Sequence, residues 1–142
     1  MKIKTDCFVL LIFALLLVCA ACTPNAQRSS AAKCAEAWLR LLDSSKYTEA
    51  WDMTGDEFRE NRTMQQWSKV LSASRNYKPA PGGRKIVSTT EDTTLNDLKK
   101  KGLYATVIVD TRSDSSLIWT EYVILMKDES GWKIIGHHFT KK

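Results

Sequence analysis

The sequence lacks the patterns that identify many enzymes and membrane-spanning proteins. Nothing in its 142 residues resembles a phosphate-binding loop, a serine-nucleophile elbow or a zinc site, and no segment is repeated. Its longest apolar run, residues 7–21, is shorter than the roughly 20 residues that a helix needs to cross a bilayer. We therefore predict no metal, no other cofactor and no spanning helix.

The chain nevertheless begins like an exported protein. Lys2 and Lys4 precede the apolar run, and the small residues Ala20 and Ala21 end it. A basic start, a short apolar core and a small-residue exit are typical of a secretory signal peptide. We therefore predict that residues 1–21 are removed, which lowers the formal net charge from +5 to +4. So mild a positive charge does not predict a nucleic-acid partner.

The end of this segment, Val18 to Cys22, resembles a bacterial lipobox, in which the cysteine after the cut carries a lipid. Lipidation of Cys22 would anchor the mature protein to the cell envelope. The residue after Cys22 is Thr23 and not aspartate, which favours anchoring in the outer membrane if the source has two membranes. The alternative is a soluble secreted or periplasmic protein. Residues 22–30 predict a lipid-anchored tether, followed by a single domain over residues 31–142.

The cysteine count depends on the same cleavage. Cys7 and Cys19 leave with the signal peptide, and lipidation would occupy Cys22, so that Cys34 has no partner. An unpaired thiol in an oxidising compartment is usually protected by burial, which we expect for Cys34. A disulfide between Cys22 and Cys34 is the alternative in a protein without the lipid.

The first half of the mature chain has helical periodicity. The stretch from about Ser30 to Asp43 is apolar on most sides, which predicts a buried helix. A second short helix is predicted from Tyr47 to Trp51, and a third around Phe58. A fourth would end near Tyr77, because the prolines and glycines after it cannot continue a helix. Two capping-box spacings mark where the third and fourth helices begin, Thr54 with Glu57 and Thr63 with Gln66.

The second half is rich in β-branched and aromatic residues. Its short connections predict antiparallel neighbours, and the predicted strands are Arg84–Thr94, Leu103–Arg112, Leu117–Met126 and Trp132–Thr140. The fold class is therefore α+β, with N-terminal helices packed on a four-stranded antiparallel meander sheet. The central strands do not alternate apolar and polar residues, so both sheet faces need cover. A long loop, a homodimer through the sheet face or another partner would cover the second face.

Several short motifs follow one another along the mature chain: Ala37-Trp38-Leu39, Asp43, Tyr47, Trp51, Trp67, Leu71, Arg75, Gly83, Arg84, Trp132 and Gly136. In this order they resemble the bacterial family called domain of unknown function 4019. The resemblance covers about Cys34 to Phe139 and implies an exported α+β domain with a cone-shaped fold similar to nuclear transport factor 2, but no reaction. This chain departs from the pattern at the lysine-rich residues 99–101 and at His137, where the family tends to have an aromatic.

Any imidazole chemistry must use His137 or His138, because they are the only histidines. Adjacent residues on a strand point to opposite faces, so the two rings cannot share a site without a bulge. Strict alternation places His138 on the face of Ile134. It is therefore the candidate general base and ligand-binding residue, with Asp43 or Glu121 as its carboxylate. The alternative is plain packing or exposure.

Other candidates are aromatic or basic. Trp119, on a strand apolar on both faces, is the preferred contact for a partner or a dimer mate; the other four tryptophans are predicted to lie in the core. Arg75 and Arg84 would either form an ion pair between helix and sheet with Asp43 or anchor a ligand. Lys141 and its neighbour at the C-terminus are predicted to be solvated.

These observations predict a non-enzymatic envelope lipoprotein whose domain binds a protein partner, a second copy of itself or a small apolar ligand. The alternative is a small hydrolase, isomerase or dehydratase that uses His138 as a base in a cone-shaped pocket. Burial separates the two hypotheses. An enclosed pocket with His138 within hydrogen-bond reach of a carboxylate would favour the enzyme, whereas a pocket filled by Trp38, Trp67 and leucine side chains would not.

Overall fold

The computed structural model describes residues 29–73, 82–95, 100–113 and 116–141. The predicted signal peptide, most of the tether, Cys22 and Arg75 lie outside these ranges, so the predictions about them stay predictions. None of the helices in the described ranges is long and apolar enough to cross a membrane.

Four helices come first within these ranges: α1 (Ser30–Asp43), α2 (Tyr47–Asp52), α3 (Asp56–Arg59) and α4 (Met64–Ala73). The bounds of α1 agree with the sequence prediction. Its start is stabilised by Ser29, whose hydroxyl accepts a hydrogen bond from the backbone N–H of Ala32 at 3.2 Å.

The two predicted capping boxes have different outcomes. Thr63 and Gln66 form one as predicted: each backbone N–H donates to the other residue's side chain, at 2.9 and 3.2 Å. The capping box of Thr54 and Glu57 is wrong. The Thr54 hydroxyl donates to the Trp51 carbonyl at 2.7 Å, and Gly55 is the N-cap of α3. The residues on either side of Thr54, Met53 and Gly55, exchange backbone hydrogen bonds with Ile134 of the sheet. A contact distant in sequence therefore fixes the backbone where the local cap was expected.

The strands form one antiparallel sheet in sequential order, and they are β1 (Arg84–Asp92), β2 (Leu103–Ser113), β3 (Ser116–Asp128) and β4 (Gly131–Lys141). The predicted α+β class, with helices before a four-stranded antiparallel meander, is confirmed. The helices pack on one sheet face, which we call the inner face. The core between them includes Ala35, Trp38, Phe58, Val107, Val109, Val123, Leu125 and Ile134.

The pairing of β3 with β4 contains a bulge that changes which side chains face the helices. Ile124 pairs with Gly136, whereas the next residue, Leu125, pairs with Ile134. Ile135 is therefore the extra residue on β4, and every residue after it lies on the face opposite to the one that strict alternation predicts. Gly136 follows the bulge, where an added Cβ would lie 3.3 Å from the Ile124 side chain.

The opposite, outer face of the sheet is partly covered. Tyr104 and Met126 are buried there, and the Tyr104 hydroxyl donates to the Lys100 carbonyl at 2.6 Å. Ile108 and Tyr122, which pair with each other across β2 and β3, are half-buried. The backbone at Lys100 thus lies over one end of this face, and the middle is half-exposed.

Candidate functional site

A buried carboxylate lies at the centre of the candidate site. Glu121 belongs to the apolar inner face of β3, together with Val123 and Leu125, and its side chain is 2% exposed. Arg84 of β1 binds both of its oxygens, with Nε donating to Oε1 at 2.8 Å and Nη2 donating to Oε2 at 3.2 Å. The Thr111 hydroxyl of β2 also donates to Oε1. Three strands therefore meet at one carboxylate.

Arg84 also connects the sheet to the first helix. Its Nη1 donates to the carboxylate of Asp43, the last residue of α1, and to the Leu39 carbonyl at 3.5 Å. The predicted ion pair between helix and sheet is thus present between Asp43 and Arg84. A guanidinium that binds two carboxylates of the same protein holds the helix and the sheet together, and few of its N–H groups are left to bind a ligand.

We call Glu121 and the side chains bound to it, together with Asp43, the ionic cluster. Its histidine is His137, whose Nε2 lies 2.9 Å from Glu121 Oε2 and whose side chain is 11% exposed. Its ring packs edge-on against Trp38, with centroids 5.0 Å apart. The selection of His138 by strict alternation is wrong, because the bulge at Ile135 exchanges the two faces. His138 is exposed on the outer face and stacks on Tyr122 at 4.7 Å.

The charges of the cluster stabilise one another. Burial by itself raises the pKa of Glu121, but the hydrogen bond with His137 and the adjacent Arg84 outweigh it and hold that pKa far below its usual value. Burial opposes the charge of Arg84 as well, yet Glu121 and Asp43 raise its pKa above the ordinary value. Glu121 is therefore a carboxylate that accepts hydrogen bonds at neutral pH and cannot serve there as a proton donor.

Aromatic side chains fill the space between the helices and the inner face. Trp38 is 0% exposed, its ring lies 6.3 Å from that of Trp67, and its Nε1 donates to the Ala50 carbonyl at 3.0 Å. Phe58 and Trp51 contact the Trp67 ring with centroids 5.8 and 5.6 Å apart. Core positions for Trp38 and Trp67 are thus confirmed, and the ionic cluster borders packed aromatic rings.

Trp119 is not an exposed contact. It lies two residues before Glu121 on β3, pairs with Thr111 and is 6% exposed. The inner face continues to this end of β3, so the side chain predicted as the preferred contact for a partner or dimer mate is buried within its own chain. Its burial gives Trp119 little surface to offer a partner.

A shallow cavity of about 190 Å³ lies away from the ionic cluster, beside the ends of β1 and β2. Threonine hydroxyls and one carboxylate form much of its lining, which does not suit an apolar ligand. The lining residues are Thr90, Asp92, Thr94, Leu95, Tyr104 and Thr106.

The described residues contain no group of three or more side chains suited to holding a metal. Cys34 is a free, half-buried cysteine; its thiol donates to the Trp132 carbonyl at 3.5 Å, and burial raises its pKa. A half-buried thiol with a raised pKa is a poor nucleophile, in keeping with the predicted protected cysteine.

Sequence reasoning missed Thr111 and chose the wrong histidine. One signal in the sequence could have identified Thr111 and Glu121: each is a polar residue at a position that strand alternation assigns to the buried face. Thr111 continues the series of Val107 and Val109 on β2, and Glu121 precedes Val123 on β3. Their direct neighbours across the strands are Trp119 and Val109, so the two polar side chains meet diagonally.

In a comparison with known proteins, residues 34–137 match the model of a family described as a protein of unknown function, domain of unknown function 4019. No curated protein and no solved structure matches the chain significantly.

Proposed function

This chain belongs to the domain of unknown function 4019 family, and we propose that it is an exported, lipid-anchored envelope protein whose domain acts by binding rather than by catalysis. The observation that favours binding over catalysis is the filled interior. Trp38 and Trp67 fill the space between the helices and the inner face, and both are buried.

The ionic cluster adds a second reason. Among the described residues, no buried side-chain nitrogen or oxygen lacks a hydrogen-bond partner. Glu121 accepts from Arg84 and Thr111 and contacts His137, so its oxygens are occupied by the protein itself. Groups that satisfy one another in this way hold elements together, whereas a general base needs a lone pair directed at a substrate.

The anchor is supported by the sequence before the domain. Seven residues separate Cys22 from the start of α1, and such a segment spans at most about 25 Å when fully extended. A lipid on Cys22 would therefore keep the domain close to the bilayer surface. The partner we propose is accordingly another envelope protein or a second copy of this chain.

Mass spectrometry of the native N-terminus tests the anchor. We expect the mature protein to begin at Cys22 and to carry a diacylglyceryl group there. Cys22→Ala should abolish the modification and release the protein from the membrane fraction. An unmodified Cys22 in the wild-type protein would leave the secreted alternative, and a retained Met1 would refute export.

The finer fold assignment is also a proposal. A cone similar to nuclear transport factor 2 requires a strongly curved sheet with helices inside the curve. Each of the three strand pairs contains a bulge, for example at Val87 between β1 and β2 and at Ile135 between β3 and β4. Bulges bend the strands and so provide curvature. An experimental structure that superimposes on that fold would support the assignment, and a flat, open sheet would refute it.

A small hydrolase, isomerase or dehydratase remains the second candidate, because a histidine and a carboxylate do lie 2.9 Å apart. The pair uses His137 instead of the expected His138. The test is His137→Phe, which removes the imidazole but keeps a ring beside Trp38. If the variant complements a deletion as well as the matched control His138→Phe does, imidazole catalysis is refuted; loss of function in a folded His137→Phe protein would favour the enzyme.

A further inference from the structure

Within the part of the chain that the structure describes, the sheet ends at β1, and no described segment pairs with the outer edge of this strand. Most side chains of its nine residues are exposed, including Val87 at 56%. No backbone hydrogen bond among the described residues joins this edge to another segment. The opposite edge differs, because Ile134 of β4 exchanges backbone hydrogen bonds with Met53 and Gly55 at 3.0 and 2.8 Å. An unpaired edge is a template for another strand.

Charge is ordered along β1. The strand begins with Arg84 and Lys85, ends with Glu91 and Asp92, and has no charged residue between them. When two copies of such a strand run antiparallel, the basic start of each lies opposite the acidic end of the other. A two-fold axis makes this match twice, as an isologous interface requires. This charge order favours a second copy of the chain over an unrelated peptide.

The pairing of β1 with β2 sets the register of such a contact. Ile86 pairs with Val109 and Ser88 with Ile108, so that Val87 is an extra, bulged residue. Residues that pair directly share a face, which places Lys85 and Asp92 on the outer face, opposite Asp110 and Tyr104.

With the two-fold axis beside Thr89 and the bulge kept in each copy, Ser88 lies opposite Thr90 of the second copy. Lys85 then lies opposite Asp92 of the second copy, and both are exposed. Both charge pairs form on the outer face without removing Arg84 from the ionic cluster.

We propose that two copies of this chain associate through the edge of β1, which joins their sheets into one continuous eight-stranded sheet. The inference rests on the proposed binding function but not on the lipid anchor. A lysine and a bulge on an edge strand normally discourage pairing with foreign strands. In the self-pair the same lysine meets an aspartate, so Lys85 both excludes unrelated strands and favours the correct partner.

Disulfide trapping in the envelope of the host tests the geometry with the full-length chain. Residues opposite each other in an antiparallel pair have Cα atoms about 4.5–5.5 Å apart, within the range that a disulfide can bridge. Thr89→Cys should therefore give a covalent dimer on a non-reducing gel. Thr140→Cys, exposed on the other edge strand, is the matched control and should remain monomeric, as should the wild type with its Cys34.

Charge reversal tests specificity on the Thr89→Cys background. Lys85→Asp or Asp92→Lys should each reduce the trapped dimer about tenfold, because each creates two like-charge contacts between the copies; the double reversal should restore it. Asp110 pairs with Lys85 within each copy, so all of these variants also carry Asp110→Asn, which prevents Lys85→Asp from adding a like-charge contact inside one sheet. Asp92 also accepts a hydrogen bond from the Thr94 N–H at 3.1 Å. Asp92→Asn, which keeps an acceptor for this turn, is therefore included and should weaken the dimer less than Asp92→Lys does.

The outcomes separate this inference from the proposed function. Three results would each overturn the edge contact: no trapped dimer with Thr89→Cys, an amount of trapped dimer that Lys85→Asp leaves unchanged, or a double reversal that fails to restore the dimer. A dimer through the outer sheet face would appear as charge-insensitive association that Thr89→Cys does not trap, which also overturns it. Lipid on Cys22 is measured on the same samples, so the anchor can fail while the dimer forms, and the reverse.

Discussion

The Glu121→Gln substitution removes the central charge of the ionic cluster while nearly preserving the shape of the side chain. Arg84 would keep its ion pair with Asp43, which is partly exposed, but would lose its buried partner. Thr111 and His137 would face an amide in place of a carboxylate. Because an amide has one oxygen instead of two, at least one buried donor would lose its acceptor.

The magnitude follows from the burial of the pair. Breaking a buried ion pair by removing one partner destabilises a protein by about 3–5 kcal/mol. Arg84 retains Asp43 and is 17% exposed, so we expect the low end, about 3 kcal/mol. For a domain of this size, that loss corresponds to a decrease in Tm of roughly 12 °C.

Urea unfolding followed by tryptophan fluorescence provides the assay, because Trp38 and Trp67 lie in the core beside the cluster. The matched control is Glu129→Gln, the same change at an exposed residue in the β3–β4 turn, which should alter the free energy of unfolding by less than about 0.5 kcal/mol. If Glu121→Gln and Glu129→Gln unfold at the same urea concentration, the cluster does not stabilise the fold and our reading of it is refuted.

Three further measurements extend this reasoning. The pKa of Glu121 is lowered in the folded state, so the contribution of this carboxylate to stability is complete above the ordinary pKa of 4.5 and is lost as the pH falls below it. The free energy of unfolding of the wild type should therefore fall more steeply with acidification than that of Glu121→Gln. Parallel curves for the two proteins would contradict the lowered pKa. Trp38→Ala should cost about 3–5 kcal/mol, because Trp38 is fully buried, whereas a cost below 1 kcal/mol would mean that the aromatic cluster is not packed as described. Thr63→Ala should lower the free energy of unfolding by about 1 kcal/mol, because the capping box at α4 is lost. Thr140→Ala, at another exposed threonine, is the neutral control, and equal unfolding midpoints for the two variants would show that the cap does not stabilise the domain.

Local patterns predicted the elements well. The apolar periodicity of α1, the capping box of Thr63 and Gln66, and the short connection before β4 depend on residues close together in sequence, and all three are present. The strands begin and end within a few residues of their predicted bounds, because β-branched runs and turn residues mark them directly.

Two predictions that depended on pairing between distant segments failed. The choice between His137 and His138 rests on one extra residue in β4, and Ile135 becomes the bulge through its pairing with Ile124 and Leu125 of β3. Thr54 has capping-box spacing, yet the backbone on either side of it, at Met53 and Gly55, is hydrogen-bonded to the sheet residue Ile134. In both cases a contact made only after the chain folds overrides a correct local pattern.

The sequence by itself determined the family and the α+β order of elements, because motif spacing and hydrophobic periodicity are properties of neighbouring residues. It also carries the whole basis for the proposed export and lipid anchor. Tertiary structure alone decided that Asp43, Arg84, Thr111, Glu121 and His137 form one ionic cluster. These residues come from five separate elements, and a charge can remain buried there only because folding brings its partners within hydrogen-bond distance.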